Sequence, residues 1–220
     1  KAKKPFFCYI PTAIPHAAMH APKELHEKWR KKFSQFDTKV GKYRAGEEEC
    51  PDVQNPIAGF AAMMEHLDNE VGAILSLLEE LKVDENTLVM FTSDNGSFMY
   101  RVDDEDDHVK SPGKQQYHTK NHTANGPWRG TKADIWEGGH HVPFFARWPG
   151  KVEAGTKCDR VITHTDLFAT AVEVASAKIP KGAAADSYSY LSLLLGNEKS
   201  YSRPPVIHHS SGGMFAIRER

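Results

Sequence analysis

A few short stretches of this chain carry side chains able to bind a cation, hold an anion or move a proton. In Thr87-Leu-Val-Met-Phe-Thr-Ser-Asp-Asn-Gly96 a carboxylate, Asp94, stands beside a carboxamide, Asn95, directly after an apolar run. Both are hard oxygen donors of the kind Ca²⁺ and Mg²⁺ prefer. The same Ser93-Asp-Asn-Gly96 also satisfies an ordinary turn, since Asp, Asn and Gly are the usual turn residues. Arg129-Gly-Thr-Lys132 places two cations around a glycine. That pattern suits an oxyanion such as sulfate or phosphate, and equally a solvated basic loop. His16 lies just past the apolar stretch Pro5–Ile10, and an imidazole is a natural proton carrier near neutral pH. His164 and Asp166 read as capping and orienting groups near a helix start. The acidic run Asp103–Asp107 lacks the alternating ligands and turn glycine of an EF-hand loop and reads as solvated.

The elements that must position these residues follow from the hydrophobic pattern. Leu88–Phe91 is a short unbroken apolar run, which predicts a strand covered on both faces, as in a parallel sheet. Pro5–Ile10 predicts a second buried strand of aromatic and β-branched residues. Asn55 and Pro56 suit the N-cap and first position of a long amphipathic helix. Its apolar positions run from Met63 through Leu67, Val71 and Leu78 to Leu81. Strand, excursion, helix and strand give a βαβ-like rhythm. In such sheets ligands bind past the carboxyl ends of strands, where His16, Asp94 and Asn95 fall. Phe144–Trp148 predicts another strand and Leu167–Ala175 another helix. Pro205–His209 and Gly212–Arg218 predict an antiparallel pair. The expected fold is therefore α/β, with a mostly parallel central sheet flanked by helices and a small C-terminal antiparallel portion.

Composition bounds the partners. Lys+Arg 28 against Asp+Glu 29 leaves a net charge of -1, so no basic field points to nucleic acid. No apolar run reaches the length of a membrane span. Cys8, Cys50 and Cys158 have no C-x-x-C spacing, which excludes a cysteine zinc site and leaves room for one disulfide. Asn121-His-Thr123 is a formal glycosylation sequon.

Three separated stretches stand in one order: Pro5-Phe-Phe through Pro15-His16, then Phe91-Thr-Ser-Asp-Asn-Gly96, then Arg129-Gly-Thr-Lys132 with Trp136-Glu-Gly-Gly139 and Val142-Pro143. Together they resemble the formylglycine-dependent sulfatases, the arylsulfatase-like branch of the alkaline phosphatase superfamily. Thr163-His-Thr-Asp-Leu-Phe-Ala-Thr170, Asp186-Ser187 and Leu193-Leu-Leu-Gly196 extend the likeness.

The resemblance implies a sulfuric ester hydrolase acting on a sulfated sugar, glycan or aryl ester. It implies Asp94 and Asn95 as ligands of Ca²⁺ rather than Mg²⁺, and Lys132 and His16 as groups that meet the substrate sulfate. It further implies that residues 1–180 are the later part of a catalytic domain and residues 181–220 the start of a C-terminal antiparallel subdomain. An exported protein, in the periplasm, outside the cell or in a lysosome-like compartment, is the expected setting.

Two departures qualify it. The family forms its formylglycine in C-x-P-S-R, and none of the three cysteines stands in that motif, so the chain alone is expected to lack a nucleophile and to be inactive. The arginine expected after Glu-Gly-Gly-x is His141. Two other readings share the scaffold: a phosphate or phosphonate ester hydrolase, and a non-catalytic relative that binds sulfated glycans.

Overall fold

The structure, a computed structural model, describes residues 4–16, 19–38, 40–41, 52–97 and 124–219. The acidic run, the sequon and Cys50 lie outside the described residues. The described residues fall into two compact units that part within one long helix, after Leu75.

The first unit holds helix α1 (Lys23–Lys32), a two-residue antiparallel ladder of β1 (Val40–Gly41) with β2 (Val53–Gln54), and the start of helix α2 (Pro56–Glu80). α2 begins where the sequence predicts. Asn55 is fully buried, and its Oδ1 accepts the Ala58 N–H at 3.1 Å. Its Nδ2 donates to the Phe33 carbonyl at 2.9 Å, which ties the helix start to the end of α1. The residue stands at φ 53°, in the left-handed region that Asn tolerates better than other residues with a Cβ. Only the first turns of α2 are well buried, through Pro56, Ala58, Gly59, Ala62 and Met63. Gly59 is required there, because a Cβ would come within 2.5 Å of the Met19 carbonyl oxygen. On the outer face Glu65 pairs with Lys28 and accepts the Trp29 Nε1–H at 2.6 Å.

The second unit centres on β3 (Val89–Thr92) and β4 (Phe144–Arg147), which pair antiparallel with Thr92 opposite Phe144 and Val89 opposite Arg147. Helix α4 (Asp166–Val174) and the short α5 (Leu191–Leu194) follow. Tyr190 is 2% exposed and sits edge-on to Phe144, with its hydroxyl against the Met90 sulfur at 3.3 Å. Burial pushes its phenol up to about 12. Asp166 is the polar centre of this unit. It is fully buried and accepts the backbone N–H groups of Thr163 and Tyr188 at 2.8 and 3.0 Å and a 2.6 Å bond from Arg203. A hairpin of β5 (Val206–His209) and β6 (Phe215–Arg218) closes the unit, with Ile207 opposite Ile217.

The expected mostly parallel central sheet is not what forms. Among the described residues every ladder is antiparallel and two-stranded. An apolar run reports that a strand is covered; it does not encode the direction of the strand beside it. The neighbour that β3 finds is β4, which runs against it, with Val89 opposite Arg147 and Thr92 opposite Phe144. Pro5–Ile10 also departs from expectation. It has no regular ladder, and Phe6, Phe7 and Tyr9 are 61%, 75% and 74% exposed.

Asn55→Ala is expected to cost roughly 2–4 kcal/mol. It removes a helix cap, leaves the Phe33 carbonyl short of a donor and places a Cβ-bearing residue without Asn's tolerance at positive φ. A fall in the urea midpoint with an unchanged slope is the expected readout; a midpoint equal to wild type would show that the cap carries no stability.

Candidate functional site

Three loops of the second unit meet beyond the carboxyl end of β3. The first is the Ser93-Asp-Asn-Gly96 bend. The second is the Gly130–Lys132 segment, and the third is the short helix α3 (Glu137–His140). Glycines set their distance. The Gly96 N–H donates to the Gly139 carbonyl at 3.0 Å, and a Cβ on Gly96 would lie 1.7 Å from the Gly138 oxygen. On the other side, the Gly138 N–H donates to the Arg129 carbonyl at 2.7 Å, and a Cβ on Gly138 would meet the Gly130 oxygen at 2.1 Å. The sequence Glu-Gly-Gly thus acts as a spacer of backbone thickness between the other two loops.

Asn125 completes the joint. Its Oδ1 accepts the Ser97 N–H at 2.8 Å, and its Nδ2 donates to the carbonyls of Ser97 and Gly130 at 3.1 Å each. The Lys132 N–H donates to the Ser97 carbonyl at 3.0 Å. Thr131, 6% exposed, gives its N–H to Asp134 Oδ2 at 2.9 Å. The backbone carrying Lys132 is therefore held against the segment that carries Asp94 and Asn95.

Asp94 is exposed and Asn95 half-buried. The Ser93 hydroxyl donates to the Asn95 backbone carbonyl at 2.9 Å and leaves the side chains uninvolved. Among the described residues no hydrogen bond or ion pair reaches the Asp94 carboxylate or the Asn95 carboxamide. Two hard oxygen donors with no competing partner fit a hard cation in donor chemistry. They are fewer than its usual complement, and among the described residues no three metal-ligating groups cluster. His16 belongs to the first unit, exposed, after the turn in which its N–H donates to the Ala13 carbonyl at 2.7 Å.

Arg129 works inside its loop, with its guanidinium 3.9 Å from the centre of the Trp136 ring. His164 lies beside the end of β3, its Nε2 3.3 Å from the Thr92 hydroxyl, which itself donates to the Pro143 carbonyl. The sequence uses Trp136-Glu-Gly-Gly139 only as part of a family motif and gives no role to Asn125 or to the Gly138-Gly139 pair. The glycine doublet, which signals a close backbone approach, was the available sign.

The C-terminal hairpin braces the outer side of these loops. The Ser211 N–H donates to the Ala133 carbonyl at 2.9 Å, and Arg218 pairs with Glu137. His208 reaches the Ile135 carbonyl at 3.2 Å, and its ring lies 4.5 Å from that of His140. His140 in turn reaches the Asp134 carbonyl at 3.0 Å. Desolvation and then the neighbouring His208 lower the pKa of His140 below 6.5, with His209 adding to this and the Asp134 carbonyl and Glu137 opposing it.

Gly96→Ala is expected to destabilise the protein by at least ~3 kcal/mol. The new Cβ meets backbone on α3 that cannot swing aside, at the severe end of overpacking costs. A melting temperature within a degree of wild type would contradict the packing described. A lowered His140 pKa means the native state prefers the neutral ring. Its contribution to stability is full above pH 6.5 and is lost as pH falls from there toward the depressed folded value. Protection factors of the β5–β6 amides, taken relative to the intrinsic exchange rate at each pH, should accordingly fall below pH 6.5 more in wild type than in His140→Gln. Equal acid sensitivity in the two would remove His140 from the account.

Comparison with known proteins fits this geometry. Residues 1–177 match the family model described as Sulfatase. The chain is 33% identical over 159 residues to human steryl-sulfatase, covering 72% of this chain and 25% of that protein. It is 32% identical over 151 residues to the N-acetylgalactosamine-6-O-sulfatase of Bacteroides thetaiotaomicron, covering 69% and 28%. A solved chain from work on glycosaminoglycan metabolism by Bacteroides thetaiotaomicron superposes with a TM-score of 0.61 at 29% identity, covering 74% of this chain and 32% of that one. The chain thus spans about a quarter to a third of the length of the curated relatives it matches. With the ordered motifs, the model match over most of its length and the shared fold in agreement, the chain belongs to the sulfatase family.

Proposed function

We propose that these residues serve a sulfuric ester hydrolase that removes sulfate from a sulfated sugar or aryl ester. The observation that carries this reading is the joint of Gly96 with Gly138 and Gly139. It sets an unpaired carboxylate and carboxamide on a loop adjoining the one that bears Lys132. The names of the relatives, a steryl-sulfatase and an N-acetylgalactosamine-6-O-sulfatase, support the reaction class. In this reading Asp94 and Asn95 would hold Ca²⁺ by their oxygens. The bound cation supplies positive charge for a sulfate oxygen. Lys132 adds a fixed ammonium that favours the oxyanion as charge builds on it. His16, assigned by the family resemblance, gives a proton to the departing alcohol oxygen. No attack on sulfur is assigned to a residue of this chain, because Cys8, Cys50 and Cys158 all lie outside a C-x-P-S-R sequence. Residues 1–180 then belong to the catalytic domain and residues 181–220 to a C-terminal subdomain, in an exported protein. Among the described residues no helix is long and apolar enough to cross a membrane.

The test is sulfate release from N-acetylgalactosamine-6-sulfate and 4-nitrophenyl sulfate by the full-length protein, beside phosphate release from 4-nitrophenyl phosphate. Sulfate esters should turn over faster by at least about a hundredfold, a difference of ~2.7 kcal/mol in the barrier. Asp94→Ala should abolish both calcium binding by calorimetry and turnover. Preferred hydrolysis of the phosphate ester, or undiminished turnover after chelation, would overturn this reading.

A further inference from the structure

We propose that Trp128 forms a stacking platform for a pyranose ring of a sulfated saccharide, next to the cation and sulfate groups assigned above; the proposal rests on that assignment. Trp128 lies four residues before Lys132, on the loop whose backbone is fixed by Asn125, and its N–H donates to the Asn125 carbonyl at 3.1 Å. One face of its ring is backed by His141, with centroids 4.4 Å apart and planes 18° apart. The imidazole is held at its edge by Glu137, 3.3 Å from Nδ1, and Glu137 is held by Arg218 of the hairpin. Trp128 is still 37% exposed as a residue. His141 covers one face, and the opposite face is the one assigned to the ligand. A braced, half-exposed indole loses little freedom when a ligand covers it, which is what a stacking surface requires.

The chemistry around the ring selects the occupant. Arg129, packed on Trp136, and Lys132 place two cations on the same loop, which favours an anionic ligand. Glu137 and His141 put a carboxylate and an imidazole at the rim, with side chains 30% and 48% exposed. A wholly apolar ring laid over Trp128 would strip water from these groups and give nothing in return. A sugar ring offers an apolar C–H face to the indole and hydroxyls to the rim, and its sulfate carries the charge. At position 141, where the family resemblance expects an arginine, a planar imidazole lies flat on the indole.

The test measures turnover of a 6-sulfated N-acetylgalactosamine oligosaccharide and of a steroid sulfate by full-length wild type, Trp128→Ala and Trp128→Phe. Binding of the same oligosaccharide is read separately by calorimetry. Trp128→Ala should raise the oligosaccharide KM and Kd by about tenfold with kcat within about twofold, the signature of lost uniform binding. Trp128→Phe should recover most of the loss, and the steroid sulfate KM should change little. Unchanged KM and Kd in Trp128→Ala would overturn the platform and leave the sulfatase reading standing. An equal or larger loss for the steroid sulfate would overturn the saccharide assignment. A wild type that releases no sulfate overturns the sulfatase reading, and the calorimetric Kd then still decides the platform.

Discussion

The contact on which the second unit's loops depend is the backbone-to-backbone approach of Gly96 to Gly138 and Gly139. No side chain stands between these strands of chain, and a single methyl at Gly96 would overlap the Gly138 oxygen. The gain from such a contact is geometric. Two loops that would otherwise be held by long side chains, each with its own rotamer freedom, are instead spaced by one hydrogen bond at 3.0 Å. Asn125 locks the joint by engaging both polar groups of the Ser97 backbone, so the loop ends are satisfied without water. The result leaves Asp94 and Asn95 unpaired among the described residues and still rigidly carried. That combination is what a ligand-binding pair needs, since side chains already bonded to the protein would have to be released first.

A second constraint sits behind the first. Asp166 is a buried carboxylate whose oxygens meet two backbone N–H groups and the Arg203 guanidinium, itself with a side chain only 11% exposed. A charge at that depth is tolerable only when it is paired and hydrogen-bonded on every side. Its partners come from the turn before α4, from Tyr188 and from Arg203, so one group gathers three segments. Thr170 extends the same network, donating to the Asp166 carbonyl at 2.8 Å and accepting the Tyr190 N–H at 3.0 Å. Tyr190 then packs against Phe144 and Met90, which links this polar centre to β3 and β4. The strand that presents Asp94 and Asn95 is thus supported from α4.

The contrast between the two apolar stretches near the start and middle of the chain shows what an apolar run does and does not encode. Leu88–Phe91 and Pro5–Ile10 have similar composition. Val89–Thr92 found a partner strand, and the other stretch is extended and largely exposed. Both patterns state that burial is favourable; neither names the surface that provides it. The reading of a parallel sheet failed for the same reason. Strand direction is fixed by the route of the connecting chain and by pairing at a distance, and Phe144–Arg147 lies about fifty residues from β3. Local signals fared better. The Asn55 cap, the Pro56 start and the pairing of β5 with β6 are decided within a few residues, and all are present.

The same division applies to the site. Residue types and the order of the motifs were enough to identify the family, and through that resemblance to name Asp94, Asn95, Lys132 and His16 as candidates. Chemistry of that kind is written locally, because donor type and charge belong to the side chain itself. What only the tertiary structure decided was the joint: which glycines touch, that Asn125 bridges two loops, that His141 lies flat on Trp128, and that the C-terminal hairpin braces the loop carrying Lys132. Most of these contacts connect residues 13 to more than 70 positions apart, or depend on clearances of a few tenths of an ångström. A linear pattern carries no record of either.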